Sequence, residues 1–267
     1  MSYQPGMPPS QPYGYGNAPY GQQQPKKSNT TTIVLIVVGV LVVFFFLCGG
    51  LLVALLLPAI QAARNAARQM ETQNQIKRIG LGFHLHHDVH GHFPAAVTLG
   101  PDGRPSHGWR AELLPMTTDE PIAKSWDTES KWNSPSNSGL LTPTPECYLS
   151  AIDSSEMKAE GLTRFVGIRH PQSLLPGTEP VDFRDITDGT DNTVLAFYSD
   201  KLAGVPWAAP EDVTADEAFQ IWSEASPSHP IIIVMGDGSV HVVHQPLSRQ
   251  VFNALMTRNG GEPVSDF

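Results

Sequence analysis

Five of the ten histidines of this chain fall within one short stretch, FHLHHDVHGHFP, at residues 83–94. Imidazole nitrogens are common zinc ligands and bind the ion at about 2.0–2.1 Å. On a helix His86 and His90 stand one turn apart, so both rings can reach a single ion. We therefore take His86 and His90 as the candidate metal ligands.

The histidine-rich stretch also has interpretations that require no built metal site. A catalytic zinc ion needs a third protein ligand and an open position, so two imidazoles form only a weak site. The HExxH motif of zinc proteases is absent, because the segment reads HLHHDVH. The imidazoles would otherwise end the helix and pack beside Phe83 and Phe93, or bind metal adventitiously at the surface. A third alternative is a pH-sensitive helix terminus, because protonated histidines are favoured near the C-terminus of a helix.

A second group of candidate ligands is acidic. The segment DFRDITDGTDN contains four aspartates, Asp182, Asp185, Asp188 and Asp191. Carboxylate oxygens bind calcium, but this spacing is not that of an EF-hand loop. The pairs Asp-Gly and Asp-Asn are typical of turns, so we interpret the segment as a turn that leads into a strand.

Composition and motifs limit the remaining classes of function. The net charge is −9 and no basic stripe is present, which disfavours nucleic acid as a partner. Ser239 follows Asp237-Gly238 in a predicted hairpin turn and lacks the strand-turn-helix elbow of a hydrolase serine. Cys147 is the only cysteine after the apolar segment, so no intramolecular disulfide is expected there. We expect neither catalytic residues nor a cofactor.

The N-terminal quarter of the chain does not read as part of a folded core. Residues 1–25 consist almost wholly of Tyr, Gln, Pro, Gly, Ser and Met, which cannot bury enough apolar surface to offset the entropy of ordering. We predict a disordered tail over residues 1–32. From Ile33 to Leu57 the side chains are apolar, and at about 1.5 Å per residue this run crosses a hydrocarbon core of roughly 30 Å. A secretory signal has an apolar region of only about 7–15 residues, so we predict a transmembrane helix over 33–57.

The segment after this apolar run has the periodicity of a helix. In PAIQAARNAARQMETQNQIKRIGLGFHLHH, apolar residues recur at steps of three and four, and polar residues fill the other faces. We predict that residues 58–91 are helical and that the helix ends near Gly91, with Phe93-Pro94 opening the next segment.

The remainder of the chain, residues 92–267, is predicted to be mainly β. RFVGI and TVLAFY read as strands, and PIIIVMGDGSVHVVH reads as a hairpin that turns at Gly236-Asp237-Gly238. The segment LSRQVFNALMTRNGG then has a helical stripe and stops at Asn259-Gly260. A long helix, a small antiparallel sheet and a closing helix together predict an α+β domain over residues 58–267.

Several blocks of the sequence resemble one protein family, in the same order. The blocks are ALLLPAIQAARNAARQ, QIKRIGLGFHLHHDVHGHFP, GWRAELLP, WNSPSN, FRDITDGTDNTVL, VPWAAPEDV and HPIIIVMGDGSV. They span most of residues 54–258 and resemble the bacterial pilin-like family known as domain of unknown function 1559, whose members look like prepilins or type II secretion pseudopilins. His84, His87 and Asp88 fall on positions where that family usually has the same residue. The resemblance implies a pilin-like fold and no known activity.

Two features of the later blocks bear on what the resemblance implies. The family has a histidine at a fixed spacing before a C-terminal Asp-Gly pair. In this chain the spacing between His229 and Asp237-Gly238 is shorter than in the family. This shortening argues against a geometrically strict His/Asp pair. Trp109, Trp132 and Trp207 lie inside family blocks, so we expect structural roles for them.

The apolar helix departs from the prepilin pattern. Prepilins carry a leader that ends in glycine, and a glutamate follows within the apolar helix. Counted back from Pro58, Ile36 stands at the glycine position and Leu41 at the glutamate position, although Gly50 and Ala54 match small residues of the family. Because Ile36 replaces the glycine, we expect no leader cleavage. Because Leu41 cannot pair with the amine of a neighbouring subunit, we expect no ordinary polymerisation.

The orientation and the function are expectations that follow from the resemblance. Basic residues flank the apolar run on both sides, so charge alone does not orient it. The resemblance implies a cytoplasmic N-terminus and an extracytoplasmic domain. We expect a single-pass, membrane-anchored, pseudopilin-like protein of the cell envelope that acts through protein contacts, including contacts with other pilin-like proteins. The alternatives are a metal-binding or metal-dependent protein that uses His84–His92, and a subunit of a type II secretion or pilus-like assembly.

Overall fold

A computed structural model of the chain describes residues 29–263 together with Gly6, Gly14 and Gly16. Most of the predicted disordered tail, residues 1–32, lies outside the described residues. The chain divides into two compact units, Met1–Pro58 and Ala59–Phe267.

The longest element is helix α1, Thr30–His90, which includes Pro58. It contains the whole of the predicted transmembrane segment, residues 33–57. None of its most apolar 18-residue window is buried, and by length and composition the helix can cross a membrane. The prediction of a long apolar N-terminal helix is confirmed.

The second unit combines short helices with short strands. After α1, its helices are α2 Trp109–Thr117, α3 Pro121–Ser125, α4 Ser155–Ala159, α5 Ala215–Trp222 and α6 Arg249–Met256. Its strands are β1 Val97–Leu99, β2 Pro105–Gly108, β3 Leu162–Thr163, β4 Phe165–Val166, β5 Ile168–Arg169, β6 Val194–Tyr198, β7 Val205–Pro206, β8 Val213–Thr214, β9 Ile231–Met235 and β10 Val240–Val243. The fold class is α+β, as predicted, and the short helices interrupt the segment expected to be mainly β.

A four-stranded antiparallel sheet in the order β10-β9-β6-β4 forms the centre of this unit. Every residue of β6 and β9 is buried, which explains their continuous apolar sequences. The predicted hairpin is confirmed as β9 and β10. Gly238, with φ +83°, donates a 2.9 Å hydrogen bond to the carbonyl of Met235 in its turn, a conformation that favours glycine.

The segment RFVGI forms two short strands, where the sequence predicts one. β4 joins the central sheet, whereas β5 pairs in parallel with β8. Gly167 lies between them and donates its N–H to Asp212 Oδ1 at 2.8 Å. Because the N–H of Gly167 donates to a side chain, it is not available to a neighbouring strand. The segment therefore pairs with β6 before Gly167 and with β8 after it.

Two glycines allow α1 to approach its neighbours closely. A Cβ atom on Gly80 would lie 2.6 Å from Cγ2 of Val234 in β9. A Cβ atom on Gly82 would lie 2.7 Å from Cγ2 of Thr117 in α2. The buried stripe beside them includes Ile76, Ile79 and Phe83, as the periodicity predicts.

The predicted closing helix is α6, whose Phe252, Leu255 and Met256 are buried. It ends at Met256, before the predicted stop at Asn259-Gly260, because Thr257 takes an extended conformation. Trp109 and Trp207 are fully buried in the core, in agreement with their predicted structural role.

Candidate functional site

The histidine-rich stretch lies at the C-terminal end of α1. The helix ends at His90, and Gly91 follows with φ +79°, which requires glycine on steric grounds. The N–H of Gly91 donates to the carbonyl of His87 at 2.7 Å. The N–H of Phe93 then donates to the carbonyl of Val181 at 2.8 Å and ties the next segment to the domain. The predicted helix end near Gly91 is therefore found.

His86 and His90 lie together, as their spacing predicts, and His92 completes a group of three rings. The ring centroids of His86 and His90 are 4.2 Å apart with the planes tilted by 31°. Nδ1 of His86 lies 2.9 Å from the carbonyl oxygen of His92. A carbonyl only accepts, so this nitrogen carries the proton, and Nε2 of neutral His86 presents a lone pair.

Nε2 of His86 faces a carboxylate that the sequence did not single out. It lies 3.9 Å from Oε1 of Glu112 in α2, and His86 is only 3% exposed. Oε2 of Glu112 accepts a 2.7 Å hydrogen bond from Nε2 of His107. His107 is the next-to-last residue of β2. The result is a partly buried His107–Glu112–His86 row, in which the two histidines are buried and Glu112 is 29% exposed.

The carboxylate of Glu112 is held in its charged form. The hydrogen bond from His107 and then the interaction with His86 lower the pKa of Glu112 well below its ordinary value of 4.5. The 3.9 Å separation from His86 exceeds hydrogen-bond length, so we assign most of this effect to His107.

The metal-binding prediction for His86 and His90 stays a prediction. Across residues 29–263, the His, Cys, Asp and Glu side chains form no group of three or more that could hold a metal ion. The tilted ring contact brings the two imidazoles together face to face, whereas a shared ion requires their lone pairs to converge.

His84 and His87 lie on the other side of the helix end and pack against aromatic rings. Their ring centroids are 5.4 Å and 4.3 Å from that of Phe183. Nε2 of His87 is 3.7 Å from Oδ1 of Asp182. This half of the cluster supports the packing interpretation of the stretch beside Phe93.

Three of the four aspartates considered for calcium, Asp182, Asp185 and Asp188, accept hydrogen bonds from the backbone of their own or a neighbouring loop. Asp182 and Asp185 form a reciprocal capping box on a 3₁₀ turn at residues 183–185. Asp188 accepts hydrogen bonds from the N–H groups of Gly260 and Gly261, at 2.6 Å and 3.1 Å. The segment therefore ties the chain beyond α6 to the turn before β6.

Two blocks that carry the family resemblance meet at a buried ion pair. Arg110 from GWRAELLP donates from Nη1 to Oδ1 of Asp212, from VPWAAPEDV, at 2.8 Å. Their side chains are 0% and 1% exposed. Asp212 also accepts from Nε1 of Trp109 and from the N–H of Gly167. No local pattern points to this pair, because it joins residues that are far apart in the sequence.

His229 pairs with a carboxylate that the sequence analysis did not single out. Its Nδ1 lies 2.8 Å from Oδ2 of Asp200, which follows β6. Asp237 instead accepts a 2.8 Å hydrogen bond from the N–H of Ser239 inside the hairpin turn.

These features define an α+β protein with one candidate membrane-spanning helix within residues 29–263. Residues 61–152 match the family described as protein of unknown function (DUF1559), which agrees with the resemblance of the sequence blocks. No curated protein and no solved structure matches the chain.

Proposed function

We propose that this chain is a single-pass, membrane-anchored, pilin-like protein of the cell envelope that acts through protein contacts and without catalysis. The observation that carries the proposal is the apolar part of α1, whose side chains are exposed over its whole length. A bilayer satisfies such a surface, because the helix pairs its own backbone groups and presents only apolar side chains. The match of residues 61–152 to the DUF1559 family fits this proposal.

Protein contacts are supported by an exposed apolar stripe on the water-soluble part of α1. Leu81, Leu85 and Val89 follow one another at four-residue steps and are 57%, 40% and 71% exposed. A contiguous exposed apolar surface favours a protein interface over a solvated face. We propose that its partner is another pilin-like envelope protein that presents an apolar helix face.

The proposed orientation places the N-terminus in the cytoplasm and residues 58–267 outside it. Because Ile36 and Leu41 replace the glycine and glutamate of prepilins, we propose that the chain keeps its N-terminal tail and does not polymerise in the ordinary way.

The orientation is tested with single cysteines in a Cys48→Ser, Cys147→Ser background of the full-length chain. A cysteine in place of the exposed Glu160 is expected to react with a membrane-impermeant maleimide in intact cells from which any outer barrier has been removed. A cysteine in place of Ser2 is expected to react only after lysis. The reverse labelling pattern would show the opposite orientation. If the protein is found in fractions that do not sediment with membranes, with both cysteines labelled, the proposed membrane anchor is wrong.

Partners are tested by photo-crosslinking in living cells, with a photoreactive amino acid at Val89. The matched control carries it at Glu160, which is exposed and lies outside the stripe. We expect adducts that contain pilin-like subunits from Val89 and not from Glu160. Equal adducts from both positions, or none from Val89, would refute the stripe as the contact surface.

The second candidate function is metal binding by the His84–His92 segment. It is favoured by the contact of Nδ1 of His86 with the carbonyl oxygen of His92, which leaves Nε2 of His86 available. The third candidate function is that of a subunit of a secretion or pilus-like assembly. In that case, photo-crosslinking from position 89 should give a ladder of adducts that contain several subunits.

A further inference from the structure

Among the described strands, β10 pairs with β9 alone and so forms one edge of the central sheet. The N–H of Met235 donates to the carbonyl of Ser239 at 2.9 Å, which fixes the alternation of the ladder that follows. In this register the N–H and C=O groups of Val240 and Val242 point away from β9. Within residues 29–263 these outward groups have no hydrogen-bond partner. The edge of β10 is therefore open to another strand.

The open edge lies on the side of the sheet where α1 packs. Val240 and Val242 are half-buried, and their side chains pack against the core cluster that contains Ile79 and Phe83 of α1. Directly opposed residues of neighbouring strands place their side chains on the same face. A strand added to β10 would therefore present alternate side chains on the face that α1 occupies.

A groove of about 520 Å³ lies between α1 and the turn that leads into β10. α1 contributes Lys77, Arg78 and Leu81 to its lining, and the turn contributes Asp237 and Gly238. Lys77 and Arg78 are exposed, and neither forms an ion pair within residues 29–263. Two cations therefore line the groove together with one carboxylate, which favours an anionic group there.

We propose that β10 binds an extended segment of a partner polypeptide, with an acidic side chain of that segment in the groove beside Lys77 and Arg78. An extended polypeptide carries backbone donors and acceptors at the spacing of the open edge, and strand addition is a recurring mode of peptide recognition. Apolar side chains of the segment would contact Leu81, which is exposed. This inference rests on the proposed function, because it names the kind of segment through which the protein contacts form.

The position of the groove also predicts the direction of the bound segment. Antiparallel strand pairs outnumber parallel pairs roughly two- to three-fold. β10 begins just after the turn at Asp237 and Gly238, so an antiparallel segment would reach the groove at its C-terminal end. We therefore expect the acidic residue near the C-terminus of the segment.

The first test measures fluorescence anisotropy of the labelled peptide acetyl-STVTVTEE-amide as the full-length chain in detergent micelles is added. The peptide acetyl-STVTVTQQ-amide lacks the charges, and acetyl-EETVTVTS-amide has the reverse order of residues. We expect both to bind at least about fivefold more weakly, because each loses the charge contacts in the groove.

Backbone pairing is tested with N-methyl groups on the acidic peptide. Valines that contact α1 are also the residues whose N–H groups point toward β10. Methylation of the two valine nitrogens should therefore weaken binding at least about tenfold, because the methyl groups remove these donors. The matched control carries the methyl groups on two threonine nitrogens, which point away from β10, and is expected to bind like the parent peptide.

Two variants of the chain test the same contacts from the other side. Lys77→Glu should weaken binding of the acidic peptide about fivefold and strengthen binding of acetyl-STVTVTKK-amide. Lys124→Glu is the control, because Lys124 is exposed on α3 and makes the same change in net charge. Val242→Pro removes an outward N–H without removing a hydrogen bond to β9, so we expect a folded chain that no longer binds the peptide.

Equal binding of the two methylated peptides would overturn the strand pairing, and equal binding by wild type and Lys77→Glu would overturn the acidic contact. A dimer of the chain that Val242→Pro dissociates would assign the edge to a second copy and would also overturn the proposal. Adducts from Val89 without peptide binding would refute this inference alone. Peptide binding without adducts from Val89 would refute the exposed stripe as the contact surface and would support the site at β10.

Discussion

Arg110 and Asp212 form a fully buried ion pair, with Nη1 of the arginine 2.8 Å from Oδ1 of the aspartate. The guanidinium also donates to the carbonyls of Trp207 and Phe165, at 2.9 Å and 3.3 Å. Each charge is thus surrounded by partners, which offsets much of its desolvation. The pair joins α2 to the segment before α5 and fixes where two halves of the domain meet.

We expect Asp212→Asn to lower the free energy of unfolding by about 3–5 kcal/mol, because it leaves the buried Arg110 without its counter-charge. The measurement is urea denaturation of the full-length chain in detergent. The control is Asp216→Asn, whose exposed pair with Arg249 should change stability by less than about 1 kcal/mol. Equal effects of the two variants would show that the buried pair has no special importance.

We expect Gly80→Ala to destabilise the domain although alanine is the better helix former. Helix propensity alone would favour alanine by about 0.5–1 kcal/mol. The new Cβ, however, would lie 2.6 Å from Val234, and overpacking of this kind costs about 1–3 kcal/mol. Gly50→Ala on the same helix meets no atom within 4 Å and should not destabilise. Thermal unfolding compares the two, and a stable Gly80→Ala variant would contradict the close packing of α1 on β9.

We expect the free energy of unfolding to decrease at acidic pH because Glu112 becomes protonated. Its pKa in the folded protein lies below the ordinary value of 4.5, so the folded state favours the charged carboxylate. This contribution is fully present above pH 4.5 and is lost as the pH falls toward the folded pKa. Glu112→Gln should therefore be less stable than the wild type at neutral pH, and the difference should shrink below pH 4.5. A difference that stays constant with pH would argue against the hydrogen bond between Glu112 and His107.

We expect the purified full-length chain to retain much less than one zinc ion per chain after dialysis. Two imidazoles make a weak site, and the rings of His86 and His90 contact face to face. Elemental analysis provides the measurement. One retained ion per chain that is lost in both His86→Gln and His90→Gln, and kept in the control His244→Gln, would favour the metal-binding candidate.

Local patterns determined much of the architecture. The apolar run and the three-to-four periodicity predicted α1 and its end, because helix formation and burial follow from residues a few positions apart. The strand-like runs and the Gly-Asp-Gly turn between them predicted the β9–β10 hairpin for the same reason. The predicted single strand at RFVGI was wrong, because Gly167 donates to Asp212, a partner that lies 45 residues away.

The sequence by itself determined the membrane-compatible helix, the α+β class and the family resemblance, since composition, period and ordered blocks are properties of the chain alone. Only the tertiary structure decided which side chains meet. The partners of Arg110 and His229 are Asp212 and Asp200. Each pair depends on where separate segments return in space, and a short-range pattern carries no record of that path. The same holds for the open edge of β10, because only the folded sheet decides which strand lies at its margin.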